Sequence, residues 1–259
     1  YLNTNEGTKL GLVKVRLYRP FLPEKLNEAI PASCSQISVL DRSKEPGSMG
    51  EPLYLDVATT MKKFRPEIKI AHGRYGLGSK DTTPDQIKAV YWNSFFYRAD
   101  SFKEEFTIGI IDDVTNLSLP SEGKLDSAPA GTTACKFWGL GADGTVGANK
   151  NSIKIIGDHT DLLVQAYFAY DSKKSGGITV SHLRFGNTPI KSTYLINQAD
   201  FVACHNESYI SKYEMVNDVK PGGVFLLNCQ WDDKELDKHL PGQVKSYIAK
   251  NNIKFYTIN

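Results

Sequence analysis

The chain has 259 residues, of which 41% are hydrophobic and 23% charged, a composition typical of folded globular domains. This length predicts one large or two medium domains, each able to bury its own core. A formal net charge of +2 gives no reason to expect nucleic acid or an anionic membrane as a partner. No apolar run approaches the roughly 20 residues that span a bilayer.

Strands alternate with helices in the first part of the sequence. Hydrophobic periodicity predicts strands over 10–18, 36–40, 68–71 and 106–111, and helices over 24–30, 51–64 and 83–97. Thr83, Pro84 and Gln86 form a typical helix start, with a capping residue, a proline in the first turn and a glutamine three residues after the cap. This alternation indicates βαβ units and a mostly parallel sheet.

A stretch rich in Ser, Pro, Gly, Asp and Thr, residues 115–132, predicts a linker. After it, the pattern predicts strands over 136–139, 162–170, 178–185, 201–204, 224–228 and 253–256, and helices over 151–156, 206–219 and 232–251, the last broken at Pro241. The continuous apolar run 162–170 is expected for a strand buried on both faces. The predicted fold class is α/β, with two consecutive three-layer domains and mostly parallel sheets.

The cysteines argue against a cysteine-ligated metal centre. They are widely spread and form no C-x-x-C pair, so the sequence predicts neither an iron–sulfur cluster nor a zinc ribbon held by this chain. We expect reduced and mostly buried thiols at all of them, which are Cys34, Cys135, Cys204 and Cys229.

A glycine-rich stretch, 139–150, lies between a predicted strand and a predicted helix. It contains four glycines and ends at Lys150. Glycines let backbone N–H groups approach a phosphate closely, and the start of a helix adds the positive end of its dipole. The stretch therefore predicts an anion site, most simply one for a phosphate-bearing ligand.

The same stretch contains the pattern G-x-G-x-x-G, in Gly139, Gly141 and Gly144. In a dinucleotide-binding unit, an acidic residue at the end of the next strand holds the ribose, and Asp171 follows the predicted strand 162–170. The pattern alone is weak, so a phosphate-bearing ligand, a dinucleotide and a purely structural turn all remain open at this point.

Two adjacent lysines, Lys173 and Lys174, follow the strand 162–170 within the polar segment 171–177. Lysines with hydroxyls and glycines can neutralise a phosphate ester, although a solvated basic turn has the same composition. Because both loops leave the carboxyl ends of predicted strands of one sheet, we expect them to lie at the same edge.

The remaining polar candidates have simpler explanations. His182 lies in a predicted strand, where a packed or surface histidine is more common than a catalytic one. The other histidines, His72, His159, His205 and His239, show no metal-binding spacing. The pair Asp112–Asp113 is expected to cap a loop. Spacing alone identifies no pair of nucleophile and base, and we predict no catalytic residue and no metal ligand.

Several segments resemble pyruvate:ferredoxin (flavodoxin) oxidoreductase. Together they cover essentially the whole chain, and they are VKVRLYRPF (13–21), DRSKEPG (41–47), GEPLYLDV (50–57), GRYGLGSKD (73–81), LGADGTVGANKNSIKIIG (140–157), SKKSGG (172–177), YLIN (194–197) and PGG (221–223). The resemblance implies that 1–118 is most of domain II, similar to the C-terminal domain of transketolases and lacking its start. It implies a linker over 119–131, and the first part of the gamma-type domain III, lacking its end, over 132–259.

The resemblance also implies a function. Enzymes of this family convert pyruvate and coenzyme A to acetyl-CoA and CO2 and pass electrons to ferredoxin or flavodoxin, using thiamine diphosphate, Mg2+ and [4Fe–4S] clusters. The chain is then an internal fragment, inactive alone, that supplies coenzyme A docking and domain packing. Its expected partners are the remaining domains and a second copy, in the cytoplasm or a hydrogenosome-like organelle.

The family's third domain helps to bind coenzyme A. The residues that the resemblance implies for this role are Gly144, Thr145, Asn149, Lys150, Lys173 and Lys174. Two hypotheses of other classes remain beside this one: a stand-alone dinucleotide-binding module that uses Gly139, Gly141, Gly144 and Asp171, and a purely structural interaction domain.

Overall fold

The computed structural model describes residues 1–95, 100–111, 114–121, 124–171 and 176–259. These residues form two compact units, Tyr1–Leu125 and Asp126–Asn259. The division falls inside the stretch 119–131. The role of that stretch as a linker, and the domain limits at 118 and 132, stay predictions.

The first unit alternates helices and strands. Its described elements are α1 (Leu2–Asn5), α2 (Pro23–Ala29), β1 (Gln36–Asp41), α3 (Pro52–Phe64), β2 (Lys69–Arg74), α4 (Pro84–Phe95) and β3 (Glu105–Thr107). The three strands form a parallel sheet in the order β1-β2-β3. The predicted strands 36–40 and 68–71 and the predicted helices 24–30 and 51–64 are confirmed. The helix that was predicted from Thr83 is also confirmed up to Phe95.

Apolar side chains cover both faces of this sheet. Val39 packs with Val57 and Met61 of α3, whereas the next residue, Leu40, packs against a cluster that includes Val90 of α4. Consecutive residues in a strand point to opposite faces, so α3 and α4 lie on opposite sides of the sheet. The first unit is therefore built of three layers.

Buried charges fix the start of α3. The carboxylate of Asp41, at the end of β1, accepts the backbone N–H groups of Leu53 and Tyr54 at 3.1 and 3.0 Å. Glu51, just before the helix, is buried and pairs with Arg74 at 3.1 Å. Free N–H groups at a helix start need such acceptors, so these carboxylates join α3 to the carboxyl edge of the sheet.

The prediction of a strand over 10–18 is wrong. Among the described residues no strand pairs with this segment, and Leu12 and Leu17 are each 73% exposed. Its apolar alternation is typical of a strand, but a strand forms only where a neighbour completes the ladder. The strand predicted over 106–111 is also shorter, because the chain turns at Gly109, where φ is +66°.

The second unit contains a six-stranded sheet. Its described elements are β4 (Thr133–Leu140), α5 (Thr145–His159), β5 (Leu163–Tyr170), β6 (Ile178–Gly186), β7 (Ala199–Cys204), β8 (Val219–Asn228), α6 (Asp233–His239), α7 (Gly242–Lys250) and β9 (Lys254–Ile258). The strand order is β5-β6-β4-β7-β8-β9. β6 runs antiparallel to both of its neighbours, and the other pairs are parallel. The predicted α/β class with mostly parallel sheets is therefore confirmed.

Helices cover both faces of this sheet as well. Ile153 of α5 packs on one face against Cys135 and Leu183. The larger core lies on the other face, where Val202 and Phe225 contact side chains of α6 and α7. Among the described helices of the second unit, α5 is thus the one on the face opposite the larger core.

The expectation that the strand over 162–170 is buried on both faces is wrong. Among the described strands, β5 lies at an edge and pairs only with the antiparallel β6, and four of its side chains are exposed, Leu163, Val164, Tyr167 and Tyr170. An apolar run has the same sequence pattern at an edge as in the centre of a sheet, so sequence alone could not separate the two positions.

The helix predicted over 206–219 is replaced by two short 3-10 turns, Glu207–Tyr209 and Met215–Asp218. Tyr209 and Met215 are both buried. In an α-helix they would lie about 120° apart, on different faces, since each residue advances by about 100°. Two turns separated by a bend bury both side chains. The break between α6 and α7 at Pro241 is confirmed.

Replacing Phe225 by alanine should unfold the second unit at lower denaturant concentration. Phe225 is fully buried and its ring stacks on that of Phe255, with centroids 5.6 Å apart. Deleting such a side chain costs about 3–5 kcal/mol. Urea denaturation followed by circular dichroism measures this loss. The matched change Tyr256→Ala, at a side chain 55% exposed, should cost less than about 1 kcal/mol. Equal losses in the two variants would contradict the packing described here.

Candidate functional site

The loop between β4 and α5 is shorter than the sequence predicts. α5 begins at Thr145 rather than at Asn151, so the connection spans only 141–144. Thr145, Asn149 and Ile153 are buried at intervals of four residues, which places them on one face of the helix against the sheet. This packing outweighs the low helix propensity of the glycine and asparagine in the first turns.

Asp143 closes this loop. One carboxylate oxygen accepts the backbone N–H of Leu140 and the other accepts that of Thr145, both at 2.8 Å. Partial burial acts to raise the pKa of Asp143, but the hydrogen bonds from these two N–H groups outweigh it and hold the pKa below its ordinary value. The side chain is therefore a carboxylate at neutral pH, and it joins the end of β4 to the start of α5.

A histidine just after the neighbouring strand β7 contacts the first residue of the same helix. Thr145 Oγ1 lies 3.0 Å from Nδ1 of His205, which directly follows β7. The backbone N–H of His205 donates to the carbonyl of Trp138 at 2.9 Å and fixes the imidazole beside β4. Burial lowers the pKa of His205, and the nearby Asp143 opposes this shift only in part. A neutral imidazole therefore meets the Thr145 hydroxyl.

A cavity of about 450 Å³ opens beside this loop, at the carboxyl ends of β4 and β5. It is lined by Leu140, Gly141, Ala142, Asp143, Gly144, Val146, Gly147, Tyr170, Asp171, Gly177, Ile178 and Thr179. The N–H of Gly141 donates to the carbonyl of Gly177 at 2.7 Å, so the two predicted loops do meet at one edge of the sheet. Ligand pockets of folded proteins typically have volumes in this range.

Residues with unpaired hydrogen-bonding groups line this cavity. Val146 and Gly147 belong to the first turn of α5, where backbone N–H groups have no acceptor within the helix. Thr179 is only 5% exposed, and its hydroxyl has no hydrogen-bond partner among the described residues. The wall thus includes the first turn of α5, with its free peptide donors, beside the apolar residues Leu140 and Ile178, and the unpartnered Thr179 hydroxyl is buried next to it.

The predicted site residues that the structure describes lie in three different environments: the cavity wall, the interface between α5 and the sheet, and the exposed surface. Gly144 lines the cavity, with φ at +90°, a conformation that favours glycine. Thr145 and Asn149 are 4% and 5% exposed and face the sheet, so they support the helix rather than the cavity wall. Lys150 is exposed, with Nζ 5.4 Å from the ring centre of Phe168.

Some predicted residues lie outside the described part of the chain. These are Lys173 and Lys174, and also the aspartate pair Asp112–Asp113. The roles of all the predicted site residues in binding a ligand stay predictions.

Sequence reasoning missed three residues of the cavity: Asp143, Tyr170 and Thr179. An aspartate just before a helix is a usual capping signal, and it could have moved the predicted start of α5 to Thr145. Tyr170 is the last residue of β5, and it lies opposite Thr179, the second residue of β6. No sequence signal gives that pairing.

The strand order of the second sheet argues against a dinucleotide site at the glycine-rich stretch. Such a site needs its acidic residue at the end of the parallel strand next to the glycine turn. Asp171 follows β5, but the antiparallel β6 lies between β4 and β5. The parallel neighbour of β4 is β7, which ends at Cys204.

His182 is a packed residue rather than a catalytic one. It pairs with Lys136 in the register of β4 and β6, on the face opposite α5, and its Nδ1 accepts the N–H of Ile196 at 3.0 Å. Burial and then the charges of Lys136 and Arg184 lower the pKa of His182 to about 3. The imidazole is therefore neutral at physiological pH.

All four cysteines are free thiols, as predicted, and Cys135, Cys204 and Cys229 are buried. Burial raises the pKa of Cys135 to about 12 and that of Cys204 to about 11, which keeps both thiols protonated and unreactive. The described residues contain no group of three or more His, Cys, Asp or Glu side chains placed to hold a metal ion. None of the described helices combines the length and the apolar character of a membrane span.

Two family models match most of the chain. Residues 134–259 match the model described as pyruvate ferredoxin/flavodoxin oxidoreductase, and residues 2–87 match the model of pyruvate:ferredoxin oxidoreductase core domain II. The chain belongs to the pyruvate:ferredoxin/flavodoxin oxidoreductase family. The resemblance that the sequence segments carry is therefore confirmed.

Curated relatives match along the whole chain. A pyruvate:ferredoxin oxidoreductase of Moorella thermoacetica is 56% identical over 254 residues, which is 98% of this chain and 21% of that protein. A pyruvate-flavodoxin oxidoreductase of Enterobacter agglomerans is 55% identical over 260 residues, which is 100% of this chain and 22% of that protein. The chain thus spans about a fifth of the length of these relatives.

Solved structures give weaker likenesses. A pyruvate oxidoreductase subunit of Thermotoga maritima aligns with a TM-score of 0.36 and 17% identity, covering 42% of this chain and 57% of that one. The gamma subunit of a keto/oxoacid ferredoxin oxidoreductase from Geobacter sulfurreducens aligns with a TM-score of 0.34 and 22% identity, covering 49% of this chain and 61% of that one.

Replacing His182 by asparagine should weaken the pH dependence of stability. The pKa of His182 is about 3 in the folded unit and near 6.5 in an unfolded chain, so the unfolded state binds the extra proton between these values. Stability that is present above about pH 6.5 is therefore lost as the pH falls. In His182→Asn, the slope of the unfolding free energy between pH 6 and 4.5 should be smaller by up to about 1.4 kcal/mol per pH unit.

Urea denaturation at several pH values measures this slope. Asparagine can still accept the N–H of Ile196, so the comparison isolates the lost titration. The matched variant His159→Asn, at an exposed position, serves as the control. A slope in His182→Asn equal to that of the unaltered chain would show that His182 titrates normally.

Proposed function

We propose that this chain is part of an enzyme that oxidises pyruvate with coenzyme A to acetyl-CoA and CO2 and passes the electrons to ferredoxin or flavodoxin. Membership of the family and the names of the curated relatives support this proposal. Since the chain spans about a fifth of those relatives, we propose that it does not catalyse the reaction alone. The cytoplasmic or organellar location of such an enzyme stays a prediction.

The chain's own part, in this proposal, is to dock coenzyme A. The observation that carries it is the cavity at the carboxyl ends of β4 and β5, where the first turn of α5 meets the start of β6. The first turn of α5, with the backbone N–H groups of Val146 and Gly147, can donate hydrogen bonds there. Ligands of open α/β sheets typically bind at such an edge.

Cations outside the cavity would hold the phosphates of coenzyme A. Lys150 is exposed on the second turn of α5. Lys173 and Lys174 follow Asp171, which lines the cavity, in the sequence. Lysine ammonium groups bind phosphates as point charges and tolerate several geometries, which suits a flexible ligand. Docking would then place the thiol by proximity, with no acid or base supplied by this chain.

The described residues contain no set of His, Cys, Asp or Glu side chains placed to hold a metal ion, so they offer no ligand set for Mg2+ or for a [4Fe–4S] cluster. In this proposal, Mg2+ and the clusters, together with thiamine diphosphate, are held by other parts of the enzyme.

The first unit, we propose, packs against the rest of the enzyme or a second copy. The segment 10–18 exposes apolar side chains, with Leu12 and Leu17 each 73% exposed. Isolated exposed apolar residues are ordinary, but a run of them in one extended segment is typical of a surface that another element covers. This observation favours a structural role for the first unit beside the docking role of the second.

Calorimetric titration of the 259-residue chain with coenzyme A tests the docking proposal. Binding should weaken about three- to tenfold in Lys150→Ala, because each lysine contributes one charged contact to a phosphate. The double variant Lys173→Ala/Lys174→Ala should lose more. Lys250→Ala, which removes an exposed lysine from α7, should bind as the unaltered chain does.

Other outcomes would decide against coenzyme A. Binding of NAD that is lost in Asp171→Ala would favour the dinucleotide hypothesis instead. If the chain binds neither coenzyme A nor NAD, only the structural role would remain. Coenzyme A binding that all lysine variants retain would contradict the assignment of its phosphates to these side chains.

A further inference from the structure

A negative charge occupies the position where the glycine motif suggests a bound phosphate. The N–H of Thr145 is the first donor of α5, and it is already taken by Asp143 at 2.8 Å. The other oxygen of the same carboxylate accepts the N–H of Leu140. An external anion at the helix start would therefore lie beside an internal one.

This internal charge persists at neutral pH. Hydrogen bonds from the backbone outweigh partial burial and keep the pKa of Asp143 low. The Asp143 carboxylate therefore disfavours a further negative charge at the start of α5, and most of all a doubly charged phosphate.

The uncharged groups of the cavity point to a different occupant. Thr179 is nine-tenths buried, its hydroxyl lacks a hydrogen-bond partner among the described residues, and it lines the cavity. Val146 and Gly147 add backbone donors. Apolar walls at Leu140 and Ile178 complete a surface that suits a neutral group with hydrogen-bond donors and acceptors.

We propose that Asp143 determines the specificity of this cavity. Its carboxylate keeps doubly charged phosphates away from the start of α5, and the cavity takes an uncharged, hydrogen-bonding part of the ligand, whose donors the carboxylate accepts. The identity of that ligand rests on the proposed function. If it is coenzyme A, a neutral amide- or base-containing portion lies inside the cavity and the phosphates lie outside it, near Lys150.

Titration with inorganic phosphate at low salt tests the charge effect directly. Nuclear magnetic resonance shifts of the Val146 and Gly147 amides report binding at the start of α5. In the unaltered chain these amides should not show saturable shifts. In Asp143→Asn, saturable shifts should appear, with a dissociation constant at least about fivefold below the highest phosphate concentration that leaves the unaltered chain unsaturated, because one repelling charge is removed. Asp158→Asn, at an exposed carboxylate near the other end of α5, should behave as the unaltered chain does.

A second variant guards against a loss of structure. In Asp143→Ser, a hydroxyl can still accept one N–H at the helix start but carries no charge, and circular dichroism checks that α5 remains folded. Phosphate binding no tighter in either variant, or saturable phosphate shifts in the unaltered chain, would overturn the inference. The two proposals can fail separately. If the unaltered chain does not bind coenzyme A but the variants bind phosphate more tightly, the proposed function is contradicted and the role of Asp143 is supported.

Discussion

The carboxylate of Asp143 holds the end of β4 and the start of α5 together, and the geometry of the candidate site depends on this connection. Its two oxygens bind the N–H groups of Leu140 and Thr145, both at 2.8 Å. A capping carboxylate of this kind typically stabilises a helix by about 1 kcal/mol. It also limits the loop to 141–144, so the first turn of α5 lies at the sheet edge and forms one wall of the cavity.

The strand order supplies the opposite wall. β4 and β5 both run antiparallel to β6, so they point in the same direction and their carboxyl ends lie at one edge, on either side of the start of β6. The Gly141 N–H and the Gly177 carbonyl then join the two loops at 2.7 Å. Ligands of open α/β sheets commonly bind at such an edge, which supports the proposed docking role.

Sequence patterns predicted the elements whose signals are local. The proline and capping signals at Thr83 and the alternation of apolar runs gave most helices and strands, and spacing placed the loops after β4 and β5 at one edge. Patterns failed where a tertiary partner decides the outcome. The segment 10–18 has a strand pattern but no described partner, β5 became an edge strand, and packing of Asn149 on the sheet extended α5. Thr179 lies at the cavity because β6 pairs with β5, and no local sequence signal predicts that pairing.

The central claim is that the cavity beside Asp143 docks coenzyme A through a neutral part of the molecule, with its phosphates outside. A crystal structure of the chain soaked with coenzyme A tests this claim most directly. The account predicts ordered ligand density against Tyr170, Thr179 and Gly147, and phosphates near Lys150 rather than at the Thr145 N–H. Phosphate density at the start of α5 with the Asp143 side chain displaced, or ordered ligand only at another surface, would contradict it.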